Sequence, residues 1–195
     1  MAKVELVSQR TRPDFVVHEV EAPTAVDQFR LTTREYQLIL INISGLPTSG
    51  IANYFSNKEK TVNNAFSLIE HKLIVPNRLH LAIASFHKGL LPRSVLDQPM
   101  FKNAPLIETL TPRQQQILEL KSQGLNNLQV QSTLKLPRQR LERQLKKIYQ
   151  RLEVNNAISA AIVFLKHQKE VNKPEYSVTQ LIADFLNKND EYFYD

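Results

Sequence analysis

The chain has 195 residues, 42% of them hydrophobic, and this share of apolar side chains can bury a core. It contains no cysteine, which excludes disulfides, thiol catalysis and cysteine-based metal sites and favours the reducing cytoplasm. The formal net charge of +6 suggests a polyanionic partner. No stretch resembles a signal peptide or a bilayer-spanning run of roughly 20 residues, so we expect a cytoplasmic protein without a membrane partner.

A repeat follows an N-terminal arm of residues 1–30, in which Asp14–Val20 alternates polar and apolar side chains like a strand. At a separation of 79 residues, twelve positions of 31–83 are identical to their partners in 110–162. Apolar positions that are not identical still match in type, as Phe66 and Leu145 do. This agreement predicts two copies of one small helical domain.

Each copy has the signals of a first helix and its end. Thr32-Thr-Arg-Glu35 and Thr111-Pro-Arg-Gln114 are capping boxes, in which the threonine hydroxyl and the third side chain satisfy free N–H groups. Gly45 and Gly124 follow where a helix needs a left-handed residue at its C-terminus. A short second helix should end near Phe55 or Leu134.

A longer third helix is predicted from four apolar residues at steps of 4, 3 and 4, which lie on one helix face. These residues are Val62, Phe66, Ile69 and Leu73 in the first copy and Leu141, Leu145, Ile148 and Leu152 in the second. A fourth helix should run over about 77–88 and 156–169. The expected fold is therefore all-α.

The predicted organisation is two tandem four-helix bundles. The first domain covers residues 31–90, a proline-containing linker covers 91–109, and the second domain covers 110–170. Residues 171–195 form an acidic C-terminal tail with a short helix near residues 178–186.

Both copies carry a motif that is similar to a known domain. The first reads Leu31-Thr-Thr-Arg-Glu35, Gly45, Ile51-Ala52, Thr61-Val62 and Lys72-Leu73-x-Val75-x-x-Arg78. The second reads Leu110-Thr-x-Arg113, Gly124, Val130, Ile148-Tyr149 and Arg151-Leu152-x-Val154. They resemble the LuxR/GerE-type helix-turn-helix domain. The resemblance implies a four-helix bundle whose third helix enters the DNA major groove, and a fourth helix that forms a dimer interface in many members.

The two copies depart from the family at positions that face DNA. The family usually has lysine at the start of its second helix, whereas Pro47-Thr-Ser-Gly50 and Asn126-Asn-Leu-Gln129 contain no basic residue. Where the family has lysine in its third helix, the first copy has Asn63 and the second has Glu142. Asn63 still offers an amide that can read a base, whereas the Glu142 carboxylate repels phosphate and can at best accept from a cytosine amino group. Glu142 and the missing lysines favour a protein partner.

Most of the positive charge lies in the second copy, where residues 110–163 hold nine Lys and Arg against three acidic residues. In its third helix, Arg140, Arg143 and Lys147 are spaced at i, i+3 and i+7 on the side opposite the apolar stripe. Such a row suits a helix that lies in a groove between phosphates, and arginine can also bond guanine O6 and N7.

The predicted DNA-binding residues are Lys58, Lys60, Thr61, Asn63 and Asn64 in the first copy, and Arg138, Arg140, Arg143, Lys146 and Lys147 in the second. The five histidines have no metal-ligand spacing, and no catalytic motif or phosphate-binding loop occurs. We therefore predict no metal, no cofactor and no enzymatic activity.

Two functional hypotheses follow. The first is a transcriptional regulator that binds double-stranded DNA through both modules, with the third helix of the second copy supplying most contacts. Joining the modules covalently raises their effective concentration, so one chain could imitate a dimer. The second is an adaptor whose degenerate modules bind RNA polymerase, another regulator or another copy of the same chain as a homodimer.

Overall fold

A computed structural model describes residues 25–171, and within this range the chain forms helices and turns without any strand. The long helices are α2 (Thr33–Ile43), α3 (Thr48–Tyr54), α4 (Glu59–Leu73), α5 (Arg78–His87), α7 (Pro112–Ser122), α8 (Asn127–Leu134), α9 (Arg138–Arg151) and α10 (Ala157–Val171). Two short helices, α1 (Ala25–Gln28) and α6 (Arg93–Leu96), complete the α-helical set of this range. The predicted all-α class is confirmed here, whereas the strand near residues 14–20 and the helix near 178–186 lie outside the described residues.

Both predicted capping boxes are present. The backbone N–H of Glu35 donates to Thr32 Oγ1 at 3.2 Å, and the Thr32 N–H donates back to Glu35 Oε2 at 2.7 Å. At the start of α7, the corresponding distances between Gln114 and Thr111 are 3.3 and 3.0 Å. These reciprocal bonds fix where α2 and α7 begin.

The helices of the two halves, α2–α5 and α7–α10, keep the spacing of the sequence repeat. Both α2 and α7 have 11 residues and begin 79 positions apart. Residues with positive φ also pair at this spacing: Gly45 with Gly124, Ser56 with Lys135, and Ile74 with Glu153. Because left-handed backbone is rare outside glycine, these pairs indicate that turns of equal geometry connect equivalent helices.

The predicted apolar stripes are buried. Val62, Phe66, Ile69 and Leu73 of the first half are at most 4% exposed, and Leu141, Leu145, Ile148 and Leu152 of the second are at most 6% exposed. They belong to one continuous hydrophobic core that extends through both halves.

Residues 91–109, predicted as a linker, pack against the same core. They contain α6 and two 3-10 helices, Pro99–Phe101 and Ala104–Thr109. Their buried side chains are Leu91, Val95, Phe101 and Ile107. Apolar side chains at these positions hold the segment on the core, so it fixes the halves more firmly than a solvated connection would.

The last helix, α10, lies where the two halves meet. It packs against α7 and α9 of its own half and against α5 and α2 of the other. Its apolar residues Ala160 to Leu165 are all buried. The fourth helices α5 and α10 therefore pair with each other inside one chain.

Candidate nucleic-acid interface

Helix α9 presents the basic row that the sequence predicts. Its Leu141, Leu145 and Ile148 face the core, which turns the opposite side of the helix to solvent. Arg140, Arg143, Lys146 and Lys147 are all exposed. Their common exposure leaves four cationic side chains accessible on one helix.

Only one of the predicted basic residues of α9 forms an ion pair with another residue of 25–171. Arg138 Nε lies 2.8 Å from Glu142 Oε1, with the two side chains 80% and 52% exposed. This hydrogen bond to the carboxylate, followed by the attraction of its charge, raises the pKa of Arg138. The carboxylate thus offsets one cation of α9, and the row of Arg140, Arg143 and Lys147 remains uncompensated.

Helix α4 presents the first-copy residues that the sequence predicts. Lys58 precedes the helix, and Lys60, Thr61, Asn63 and Asn64 lie on its exposed surface. The Ser67 hydroxyl donates to the carbonyl of Asn63 at 3.2 Å.

The basic row of α9 has a neutral counterpart on α4. Positions equivalent to Arg140, Arg143 and Lys147 hold Thr61, Asn64 and Leu68. Leu68 is 61% exposed. The same helix face therefore carries three cations in one half and no charge in the other.

Equivalent polar contacts position α4 in the first half and α9 in the second. Arg34 donates to the carbonyl of Phe55 at 3.4 Å, and Arg113 makes the same bond to the carbonyl of Leu134. In the same way Lys72 donates to the carbonyl of Arg30, and Arg151 to the carbonyl of Thr109. These bonds tie the end of the second helix to the first helix, and the third helix to the segment that precedes the first.

In the first half, the half-buried Arg78 holds the second helix. Arg78 donates to Asn42 Oδ1 at 2.9 Å and to Thr48 Oγ1 at 3.0 Å, and its guanidinium carbon lies 4.1 Å from the ring centroid of Phe66. Burial lowers the pKa of Arg78. The counterpart of Arg78 in the second half is Ala157, so that half needs another device.

The second half uses Lys121 of α7. Its ammonium donates to the carbonyl of Leu125 at 2.8 Å and to Asn127 Oδ1 at 3.1 Å, and Asn127 is the counterpart of Thr48. Burial lowers the pKa of Lys121 to about 8. This role of Lys121 was not predicted from the sequence, although Lys121 falls one turn after the buried Ile117 on the apolar face of its helix.

The contact between the halves is reciprocal. Asn156 Nδ2 donates to the carbonyl of Gly45 at 2.9 Å, and Ser159 Oγ donates to the carbonyl of Ile43 at 2.9 Å. On the other side, the ring of His80 lies against Gly124, where an added Cβ would come within 2.2 Å of Nε2. His80 and Ser159 are equivalent positions, as are Gly45 and Gly124, so equivalent residues meet on the two sides. Reciprocal contact of this kind is typical of interfaces with two-fold symmetry.

His80 is held neutral at this contact. Burial, followed by the positive charge of Lys121, lowers its pKa to about 4. Its Nδ1 also lies 3.1 Å from Asn77 Oδ1.

An open groove of about 620 Å³ runs beside α9. Its lining includes Asn127, Glu142, Lys146, Tyr149 and Glu153. Burial raises the pKa of Tyr149 to about 12, so this phenol stays neutral. Mixed charge and an open mouth suit a surface that touches a macromolecule better than one that encloses a small substrate.

Residues 25–171 contain neither a cluster of metal-ligating side chains nor a helix that could span a membrane. No three His, Asp or Glu side chains in this range come together as metal ligands would. Among the helices of the same range, none is long and apolar enough to cross a membrane.

The second half has the geometry of a helix-turn-helix domain, because α8 and α9 are joined by a turn of only a few residues and α9 faces solvent. Residues 108–164 match the sequence model of the luxR family of bacterial regulatory proteins, also called GerE, and form one domain of that type. No curated protein and no solved structure matches the chain.

Proposed function

We propose that this protein is a cytoplasmic DNA-binding transcriptional regulator with two tandem helix-turn-helix modules, α2–α5 and α7–α10. Helix α9 enters the major groove and supplies most phosphate and base contacts. The observation that carries this proposal is the exposed, uncompensated row Arg140, Arg143 and Lys147, within a segment that matches a family of bacterial regulators. Phosphate contacts from such a row provide affinity, and arginine can distinguish guanine in the major groove.

The tandem arrangement is supported by equivalence at the level of atoms. The capping boxes, the left-handed residues and the clamps from Arg34 and Arg113 recur at a spacing of 79 residues. Independent bundles would not be expected to share these details.

Reciprocal packing of α5 on α10 further supports a two-module DNA reader. Helix-turn-helix dimers use a two-fold relation to put two reading helices on one duplex. In the proposed arrangement the two modules belong to one chain, so a single copy would bind one site and a homodimer would not be needed.

Replacing Arg140, Arg143 and Lys147 together with alanine tests the proposal. We expect roughly 100-fold weaker binding to genomic duplex fragments at 0.1 M salt, because three cations that contact phosphate are lost. The salt slope should also fall by about 0.9 for each lost contact. Fluorescence anisotropy at several salt concentrations measures both quantities.

A matched control removes three exposed cations elsewhere, Arg93, Lys102 and Lys169. It changes the net charge equally, so its affinity loss reports the general attraction of a basic protein for DNA. Equal losses in the two triple variants would contradict the assignment of α9 as the reading helix.

A second function, an adaptor that binds RNA polymerase or another regulator, is favoured by one observation. Glu142 occupies a DNA-facing position of α9 and pairs with Arg138 at 2.8 Å. A chain of this kind would leave a heparin column at low salt and shift no duplex. Retention on heparin together with a shifted duplex would favour the regulator.

A further inference from the structure

The exposed face of α4 has three side chains at the same spacing as the basic row of α9, but none of them is charged. Thr61, Asn64 and Leu68 follow the same steps of three and four residues as the basic row of α9. All three are exposed, while the buried stripe of α4 is made by other residues. Core packing therefore does not explain their identity.

Two of these side chains have chemistry that fits a base pair. The amide of Asn64 makes no hydrogen bond with another residue of 25–171, so its donor and acceptor are both available. Leu68 presents an aliphatic side chain that is 61% exposed, where the other half has Lys147. An asparagine amide can bond adenine N6 and N7 together, and an apolar side chain can contact the thymine methyl group.

The reciprocal contact between the halves favours DNA as the occupant of this face. Gly45 meets Ser159 as Gly124 meets His80, so the halves that carry α4 and α9 contact each other through equivalent positions. When α9 lies in one major groove, a two-fold partner is suited to the neighbouring groove of the same duplex. A protein partner on α4 would have to share this space with DNA.

We propose that Asn64 and Leu68 determine specificity for A·T pairs in the half-site under α4, while Arg143 selects guanine in the half-site under α9. The target is then a duplex with two inverted but unequal halves, bound by one chain. Asn64 and Leu68 are one turn apart, about 6 Å along the helix, which suits neighbouring base pairs. This inference rests on the proposed function.

The test begins with selection of bound duplexes from a randomised pool by the full chain. We expect selected sites to contain an A·T-rich half that is lost with Asn64→Ala plus Leu68→Ala, and a guanine in the other half that is lost with Arg143→Ala. The salt slope of the first variant should equal that of the unchanged protein, because neither residue contacts phosphate.

Uracil in place of thymine sharpens the test, since it removes one methyl group. On the selected duplex this change should weaken binding about four-fold, which is the value of one buried methyl group. Leu68→Ala should abolish the difference between thymine and uracil. Ile74→Ala is the control, because Ile74 is also a highly exposed aliphatic residue but lies after the end of α4.

The outcomes separate the two proposals. Enrichment of no sequence would contradict the proposed function itself. Enrichment of a single half-site, unchanged by the variants of Asn64 and Leu68, would leave the regulator intact and overturn this inference. Retained selectivity together with loss of a copurifying protein in Leu68→Ala would instead assign the α4 face to a protein partner.

Discussion

Comparison of α4 with α9 separates what holds a helix in place from what the helix presents. Their buried stripes match position by position, and each is preceded by a helix clamped through an arginine to a backbone carbonyl. Their exposed rows differ completely in charge. Packing tolerates little change in a core, whereas exposed positions are free to diverge.

A subtler difference lies in the cations that hold the second helix of each half. Arg78 holds the second helix of one half from α5, and Lys121 holds that of the other from α7. The bonded positions, Thr48 and Asn127, are equivalent. The requirement is thus for a donor at the start of the second helix, and different residues meet it.

The largest loss of stability is expected from Gly124→Ala, which places a side chain in the contact between the halves. The new Cβ would lie 2.2 Å from His80 Nε2, and the backbone φ of +91° is unfavourable for alanine. Strain and overpacking together should lower the free energy of unfolding by about 3–5 kcal/mol and the melting temperature by about 10 °C.

Gly89→Ala is the matched control for this experiment. Gly89 has a φ of +68° but nothing within 4 Å of the added Cβ, so about 1 kcal/mol is expected from the backbone alone. Adding His80→Ser, the residue at the equivalent position 159, should restore part of the stability of Gly124→Ala. Equal losses in the two glycine variants would mean that the halves do not meet closely at Gly124.

Sequence patterns were sufficient for the local structure. Capping boxes, glycines at helix ends and apolar stripes depend on neighbours within one or two turns, and all of them are confirmed. The contact between halves could not be predicted in the same way, because His80 and Gly124 are distant in sequence and no local period links them. The packing of residues 91–109 was also not predicted. The prolines of this segment indicated a linker, although its Val95 and Phe101 are buried in the core.

The candidate site was predictable only where charge accumulates. The cations of α9 are apparent from composition and helical spacing, and the structure exposes them as expected. The neutral row of α4 gives no such signal, since exposed asparagine and leucine occur on many helices. Its meaning depends on the second copy, with which each position can be compared. The ten predicted DNA-binding residues remain predictions until binding is measured.

The pair His80 and Ser159 gives a pH-dependent comparison. The pKa of His80 is lowered to about 4, so between pH 6.5 and pH 4 the unfolded chain binds a proton that the folded chain does not. The free energy of unfolding must therefore fall as the pH falls through this window. We expect a loss on the order of 1 kcal/mol by pH 5, after allowing for the partial exposure of the ring.

His80→Ser isolates this contribution in thermal melts at pH 7 and pH 5. His87 also has a pKa lowered by burial, but it titrates in both proteins and cancels in the difference. The unchanged protein should lose about 3 °C more than His80→Ser on acidification. Equal falls in melting temperature for the two proteins would show that protonation of His80 does not account for the pH dependence.

The smallest expected effect concerns Asn63 and Glu142, the position at which each copy departs from lysine. Glu142→Gln removes a carboxylate from α9 and releases Arg138 from the 2.8 Å bond that holds it. An exposed pair contributes little to stability, so the melting temperature should change by less than about 2 °C.

Binding to duplex DNA should strengthen about three-fold, and the salt slope should steepen by up to about 0.9 as one more cation becomes available to phosphate. Glu119→Gln is the control, because it removes an exposed carboxylate from α7 and so reports the general effect of one negative charge fewer. Weaker binding by Glu142→Gln would instead mean that the carboxylate itself contacts the duplex, as an acceptor from a cytosine amino group. Glu142 would then contribute to sequence specificity even though its negative charge lowers the affinity of α9 for phosphate.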